Sequence, residues 1–461
     1  MIDLKELRAD PEKFRRGAAN KRLDVDINAL LRCDQQLRDA MNRRQELTAE
    51  KNQIGKQIGQ IAGRLKDASG QVKADLEAQI TQLRARPSQL KQDEAVITQQ
   101  VEQLQIQRDR LWLQVPMPAD QDVPVGNSSD DNVEIKRWYP PWFDLSRSFQ
   151  ENKGFKPKTH IELMRNLGLV DFERGVKLAG TRSYLLAGDG MRLHQAVLRC
   201  GFDFMVNENN FSPMGVPTLV HDQLLVGTGF FPHGVDQVYH VANPTGEGSA
   251  QCLTGTSEVG LMGVHQGEIL EFNQLPRTYV SLSTCYRREA GAAGRDTAGL
   301  YRIHQFEKVE QVVVCQADEQ ISRNWHQKMI GFVEALMQRF ELPYRLLQCC
   351  TGDLGPKNAD QVDIEAWIPG RGSDDETSRP TGAFGETHSA SKVYDYQCRR
   401  LNLRYRDPET RKPVFCHALN NTVVASPRIL IPIVELYQNR DGSLTIPEAL
   451  RPYMNDQEQI G

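Results

Sequence analysis

The sequence predicts an α+β protein: an antiparallel helical coiled-coil arm at the N-terminus, followed by one large domain of short strands and helices. Three observations predict it. Apolar residues before Pro116 recur at heptad spacing, no second break in composition follows residue 155, and Thr278 to Cys315 reads as two β-rich runs around a glycine-bearing loop.

The arm comes first in the chain. From Leu37 to Leu65 the apolar positions Leu37, Ala40, Leu47, Ile54, Ile58, Ile61 and Leu65 are spaced by threes and fours, with Arg44 and Lys51 interrupting the stripe. The return segment is cleaner, because Leu76, Leu83, Leu90, Ile97, Leu104 and Leu111 fall every seven residues, with Ile80 and Val101 on the second stripe. Residues 66–70, Lys-Asp-Ala-Ser-Gly, supply the tip, so the two helices are expected to fold back on each other. Pro87 is expected to bend or break the second helix, since proline removes an N–H and clashes with the preceding turn. Arg43, Arg44, Lys51, Lys56, Arg64 and Lys66 against Glu46 and Glu50 leave net +4 on the outer half of the first helix. Such a row suits a phosphate backbone, but a solvated coiled-coil face is the plainer explanation from this segment alone.

Residues 117–155 are rich in Pro, Asp and Asn and read as a linker, leaving 156–461 as the large domain and 1–116 as the arm. Within that domain the run 278–315 is read as a long hairpin with a nine-residue loop, Gly291 to Gly299. Val280, Leu282 and Tyr286 are expected to form its buried face. Arg287 and Glu289 are two apart, and Arg302, His304, Lys308 and Glu310 share a parity, so each set is expected to line one face. A sheet face that charged is either solvated or gripping something. Thr256 and Glu258 stand two apart in CLTGTSE, and Glu386 lies in the polar stretch GAFGETHSAS; a surface strand and a polar loop explain each of these alone. Arg399, Arg400, Arg404 and Arg406 add a basic group. Pro427 suits a first helical turn, which would put Arg428 at a helix N-terminus, a place that favours a cation only beside an anion, while Pro432 signals an early kink.

Composition narrows the classes. A chain of 461 residues with 39% hydrophobic and 25% charged residues is an ordinary globular protein, and a net charge of −4 says nothing of partners. Nine scattered cysteines without a CxxC pair argue against a zinc site or disulfide framework and fit a reducing cytoplasm. The charged start MIDLKELRADPEKF is not a secretory signal, and no apolar run is long enough for a membrane helix. No P-loop, no GxGxxG fingerprint and no nucleophile beside a base stand out. Arg287 and Arg428 offer forks for phosphate oxygens, while Glu258, Glu310 and Glu386 can hold an ammonium or a divalent metal. Phosphoryl or nucleotidyl chemistry driven by positioning and charge fits these groups better than covalent catalysis.

The run CYRREAGAAGRDTAGLYRIHQFEKVE resembles the second signature motif of the seryl-tRNA synthetases, which are class II aminoacyl-tRNA synthetases. The likeness extends through MIDLKELRADPEKF, the arm, DFERGVKLAGTRSYLLAGDG, MGVPTLV, GTGFFP and DYQCRRLNLRYR, and so covers nearly the whole chain. It implies an antiparallel sheet flanked by helices that joins serine to ATP as seryl-adenylate and then to tRNA(Ser), with tRNA(Sec) as a candidate second acceptor. By the same resemblance Arg287 meets the α-phosphate, Glu289 the adenine amino group, Phe306 the adenine face, Arg302 the phosphates and Arg428 the γ-phosphate. Glu386, Thr387, His388 and Ser389 complete the ATP site, and Glu386 with Ser389 holds Mg²⁺. Thr256, Ser257, Glu258, Glu310 and Thr422 correspond to the serine site; Arg43, Arg44, Lys51, Lys56, Arg64 and Lys66 become the tRNA-binding face; and a cytoplasmic homodimer acting on neither DNA nor membrane is implied. Departures from the family pattern concentrate in Asn420 to Arg428, NNTVVASPR. An amino-acid ligase charging a carrier protein and a non-catalytic RNA-binding paralogue are the competing expectations.

Overall fold

The computed structural model describes residues 1–242, 250–291, 298–372 and 382–461. The chain forms two units, one of Asp3–Arg15 with Asp24–Val115, the other of Met1–Ile2, Arg16–Leu23 and Pro116–Gly461.

In the first unit, helix α1 (Ile27–Leu65) begins at Asp26, whose side chain accepts the Ala29 N–H at 2.8 Å and so satisfies an orphan donor of the first turn. Helix α2 (Gly70–Leu113) follows after a tip at the expected place. The heptad stripes meet: Leu37, Ala40 and Val101 pack with Ile97 and Leu104, and Leu47, Ile54 and Leu90 with Ile58 and Leu83. Pro87 does not break α2, which runs through it as one helix. Helical neighbours on both sides and the apolar seam hold the local geometry against the missing hydrogen bond. Several arm cations are answered: Lys51 bonds Glu94 and Arg86 lies 2.9 Å from Glu50 across the pair, and Arg43 lies 3.0 Å from Glu46 on its own helix.

The second unit is built on an eight-stranded sheet. Its strands in chain order are β1 (Val133–Trp138), β2 (Ser212–Pro213), β3 (Arg277–Tyr286), β4 (Gln305–Cys315), β5 (Tyr344–Gln348), β6 (Asp360–Ile368), β7 (Ala383–Tyr394) and β8 (His417–Ser426). Their spatial order is β1-β5-β6-β7-β8-β4-β3-β2, antiparallel throughout except for the short β2–β3 pair. The expected linker at 117–155 is therefore corrected: its VEIKRW segment is the edge strand, paired from Val133↔Gln348 to Trp138↔Tyr344. Pro- and Asp-rich surroundings masked a short alternating run that needs only one neighbour to pair.

One sheet face packs helices α3 (Asp189–Asp203) and α5 (Glu319–Arg339) over Val280, Val309, Val313, Leu419 and Val423. The opposite face is covered at one end by α4 (Glu258–Gly263) and α6 (Tyr396–Leu401), over Val312, Val314 and Ala418. Strand β4 shows the logic. Its even positions begin polar or aromatic with Phe306, Lys308 and Glu310 and turn apolar at Val312 and Val314, so one face changes from an open floor to a core.

The hairpin differs from expectation in two ways. The strands end at Tyr286 and begin again at Gln305, so Arg287, Glu289, Arg302 and His304 lie in the connection and not on the strands. Val280 is buried as expected, but Leu282 is 39% exposed and Tyr286 half-buried, while the opposite face is buried along its length at Tyr279, Ser281, Ser283 and Cys285. Residues 292–297 of the expected loop lie outside the described residues.

Candidate active site

Ser281, Ser283 and Cys285 stand directly across from Glu310, Lys308 and Phe306. Opposed residues share a face, so small side chains on β3 leave room above the larger charged ones on β4. The resulting cavity is lined by Thr256, Glu258, Arg287, Glu289, Phe306, Glu310, Glu386, Thr387, His388, Ser389, Thr422 and Arg428, which brings together residues from β4, β7, β8, α4 and three connections. Two β-bulges border it. Thr387 is the extra residue between the pairs Ile364↔His388 and Glu365↔Glu386, and Val423 the extra one between Val309↔Val424 and Glu310↔Thr422. Bulges re-aim side chains where a regular ladder could not.

At one end the charges alternate. Lys308 Nζ lies 2.6 Å from Glu310 Oε2 and donates to Thr256 Oγ1 at 2.9 Å, while the Thr422 hydroxyl donates to Glu310 at 3.3 Å. Glu258 Oε1 accepts from Lys357, from Gln397 Nε2 at 2.7 Å and from Asn420 Nδ2 at 3.0 Å. Burial pushes the Glu310 carboxyl above its usual range, opposed chiefly by the neighbouring Lys308 ammonium. Two buried carboxylates each held by one lysine make a site that can exchange a resident ammonium for a substrate one without stranding a charge.

At the other end stand the arginines. Arg287 lies over the Phe306 ring at 5.3 Å from its centroid, and Arg428 over Tyr301 at 4.5 Å. Arg428 donates to the backbone carbonyls of Tyr301 and Glu386, both at 3.2 Å, and its Nη1 is 3.7 Å from the Glu386 carboxylate. Glu289 sits at φ +52°, a left-handed conformation that a non-glycine residue adopts at a cost, with its carboxylate 3.4 Å from Arg302 Nη1. Asp363 lies behind this end. Burial and the nearby Glu386 charge push it up to about 7, and Ser389 and Gln361 hydrogen-bond to it. His388 is buried with Nδ1 2.8 Å from Thr387 Oγ1, and desolvation drives its pKa down to about 3, so the ring stays neutral.

Two of the residues expected here stand aside. Ser257 is buried at the start of α4 without lining the cavity, and Arg302 reaches it through Glu289. Arg428 precedes α7 (Leu430–Leu436) and is not in its first turn, and Pro432 lies in that first turn, where a missing N–H costs little, so it makes no kink. Among the cavity-associated groups that sequence reasoning left unassigned are Lys308, Lys357, Tyr301 and Gln397. The parity of β4 carries the signal for Lys308. Lys357, Tyr301 and Gln397 come from a turn, a connection and a short helix, where no periodicity points inward.

Two family models match the chain, the seryl-tRNA synthetase N-terminal domain over residues 1–116 and the tRNA synthetase class II core domain (G, H, P, S and T) over residues 239–437. The serine–tRNA ligase of Deinococcus radiodurans is 37% identical over 462 residues, covering 100% of this chain and 99% of that one. The serine–tRNA ligase of Thermomicrobium roseum is 36% identical, covering 100% and 95%. Among solved structures, the seryl-tRNA synthetase from Pyrococcus horikoshii complexed with ATP superposes with a TM-score of 0.82 at 34% identity, covering 100% of this chain and 99% of that one. The cytoplasmic serine–tRNA ligase from Naegleria fowleri in complex with AMP gives 0.77 at 30% identity, covering 98% and 95%.

Proposed function

The chain belongs to the seryl-tRNA synthetases, ATP-dependent class II serine–tRNA ligases, and from that premise we propose how its residues divide the work. In the first half-reaction a serine carboxylate oxygen attacks the α-phosphorus of ATP and pyrophosphate leaves. In the second, a ribose hydroxyl of the tRNA terminus attacks the acyl carbon and AMP leaves. Neither step needs a protein nucleophile, so the protein supplies position and charge.

The alternating end of the cavity takes serine. Glu310 receives the substrate ammonium, Thr256 and Thr422 flank it, Glu258 marks the side-chain end, and Ser257, at the start of α4, stands between Thr256 and Glu258 on the serine side. The arginine end takes ATP. Arg287 faces the α-phosphate, where charge builds as the bond to pyrophosphate breaks, and Arg428 faces the γ-phosphate. Phe306 offers a ring to the adenine, Glu289 an acceptor for its amino group, and Arg302 holds Glu289; Thr387 and His388 shape the wall. Glu386 and Ser389 provide oxygen donors that suit Mg²⁺, and the raised Asp363 beside Glu386 marks a place where a cation would relieve two crowded carboxyls. When bound, such an ion offsets phosphate charge. Arg43, Arg44, Lys51, Lys56, Arg64 and Lys66 present the arm to tRNA(Ser) by shape and backbone charge, with tRNA(Sec) a further acceptor, and the enzyme works as a cytoplasmic homodimer.

The observation that carries this reading is the convergence of Arg287, Phe306, Glu310, Glu386 and Arg428 on one cavity. Serine-dependent exchange between ATP and pyrophosphate tests it. Wild-type chain is expected to exchange with serine, and Arg287→Ala to lose on the order of 10²–10³-fold in rate, the usual cost of removing one transition-state charge donor, while tRNA binding stays near wild type. No exchange with any amino acid would remove the enzymatic roles, and exchange without tRNA charging would favour a carrier-protein ligase.

A further inference from the structure

Lys357 reaches Glu258 from a turn, Gly355–Asn358, closed by the Asn358 N–H on the Gly355 carbonyl at 3.1 Å. Its amine also lies 4.3 Å from the centroid of the Phe230 ring, so the side chain occupies the wall of the cavity. A lysine side chain has four rotatable bonds and loses conformational entropy when it is held in one place. Something must hold the turn.

Lys21, far away in sequence, does so. Its Nζ donates to the Gly355 carbonyl at 2.9 Å and to the Asn358 carbonyl at 2.5 Å, spanning the two ends of the turn. The Met117 N–H donates to Pro356 O at 2.8 Å and the Asp120 N–H to Ala359 O at 2.9 Å, fixing the outer side. Lys21 is 5% exposed, and among the described residues no carboxylate pairs with it; burial pushes its pKa down to about 7. A lysine buried on carbonyls alone is costly unless its geometry is needed.

We propose that Lys21 is a positioning residue for the serine end of the cavity: by bridging the carbonyls of Gly355 and Asn358 it holds Lys357 against Glu258. The proposal rests on the reading of that end as the serine subsite. With Lys357 in place Glu258 is neutralised and its remaining acceptor capacity is aimed by Gln397 and Asn420; with the turn slack, Glu258 is left with an uncompensated charge in the subsite. Among the described residues Arg287, Arg428 and Glu386 share no hydrogen bond, ion pair or ring contact with the turn, so the ATP end is expected to be indifferent to it.

The test uses the full chain and its Lys21→Met, Lys21→Arg, Lys357→Met and Lys21→Met/Lys357→Met variants in serine-dependent ATP–pyrophosphate exchange, with active sites counted by adenylate burst. Lys21→Met is expected to raise KM for serine on the order of tenfold, as for losing a charged hydrogen bond, with KM for ATP and kcat per active site unchanged. The double variant is expected to match Lys357→Met alone, because Lys21 acts only through Lys357. A wild-type KM for serine in Lys21→Met, or additive losses in the double variant, overturns the proposal. If Lys21→Met does not fold, Lys21→Arg serves: its bulkier head is expected to shift the turn and raise KM for serine selectively, and an unchanged KM for serine overturns the proposal equally. Should Lys357→Met itself leave KM for serine untouched, the subsite reading falls with it; an effect of Lys357→Met without one of Lys21→Met removes the positioning role alone.

Discussion

The chemistry of this site depends on a few side chains whose protonation is set by their surroundings. Glu310 is the sharpest case. Its folded-state pKa is raised by burial, so the folded protein holds that proton more tightly than the unfolded chain, and any stability this group adds is present at low pH and lost as pH rises through the folded value. The serine recognition proposed for Glu310 runs the other way, because only the ionised carboxylate receives an ammonium. Serine kcat/KM is therefore expected to fall about tenfold per pH unit below the raised Glu310 pKa, with KM for ATP nearly level. Glu310→Gln should lower serine kcat/KM throughout and abolish that acid limb. His388 cannot supply the limb, since its pKa of about 3 lies below the range in which the fold would be assayed. An acid limb surviving in Glu310→Gln would move the titration to another group, and Asp363, raised to about 7, would be the first to examine.

At the level of elements, what the sequence revealed was whatever depends on periodicity. The heptads place Leu47, Ile54 and Leu90 in one seam because two stripes at fixed spacing suffice to define two helices and their facing sides. Parity in β4 likewise put Lys308 and Glu310 on a common face, now seen as the cavity floor. Illegible were features set by a single neighbour in space. Composition cannot show that Val133–Trp138 pairs with β5, that Leu282 stays exposed, or that Lys357 is delivered by a turn held from Lys21. The signature residues of the ATP end were legible only by family resemblance, because Arg287 and Glu289 sit in a connection where spacing implies no common direction. Pro87 exposes the limit of a local rule: α2 passes through it, yet the lost hydrogen bond remains lost. Pro87→Ala is expected to stabilise α2 by up to roughly 3 kcal/mol, read as slower amide exchange around residues 83–91 and a higher denaturation midpoint for the arm. Exchange unaltered there would mean that the helix absorbs proline without strain.

On the scale of the whole molecule, the proposed roles give the two units separable parts of one reaction, and their charges suit that division. The larger unit places four cations, Arg287, Lys308, Lys357 and Arg428, around one cavity, and in the proposed reading Arg287 and Arg428 act there on a small ligand at short range. The arm spreads its cations along a helix, and some are already matched, Lys51 by Glu94 and Arg43 by Glu46. Exposed ion pairs of this kind are weak and yield readily to a phosphate. Lys56 and Arg64 are exposed on the same helix and have no described ion pair, so they are the cations most available to an RNA backbone. Reversing both, as Lys56→Glu with Arg64→Glu, is expected to lower kcat/KM for tRNA by at least tenfold and to flatten its dependence on the logarithm of salt concentration by about 1.4, near 0.7 per lost phosphate contact on single-stranded segments and somewhat more on helical ones. Serine-dependent ATP–pyrophosphate exchange should stay at the wild-type rate, since adenylate formation needs no RNA. If exchange fell in step with charging, the arm would have to act on the chemical step itself, and the separation of labour between the two units would fail; if charging kept its rate and salt slope, the RNA would have to be held by other cations than these.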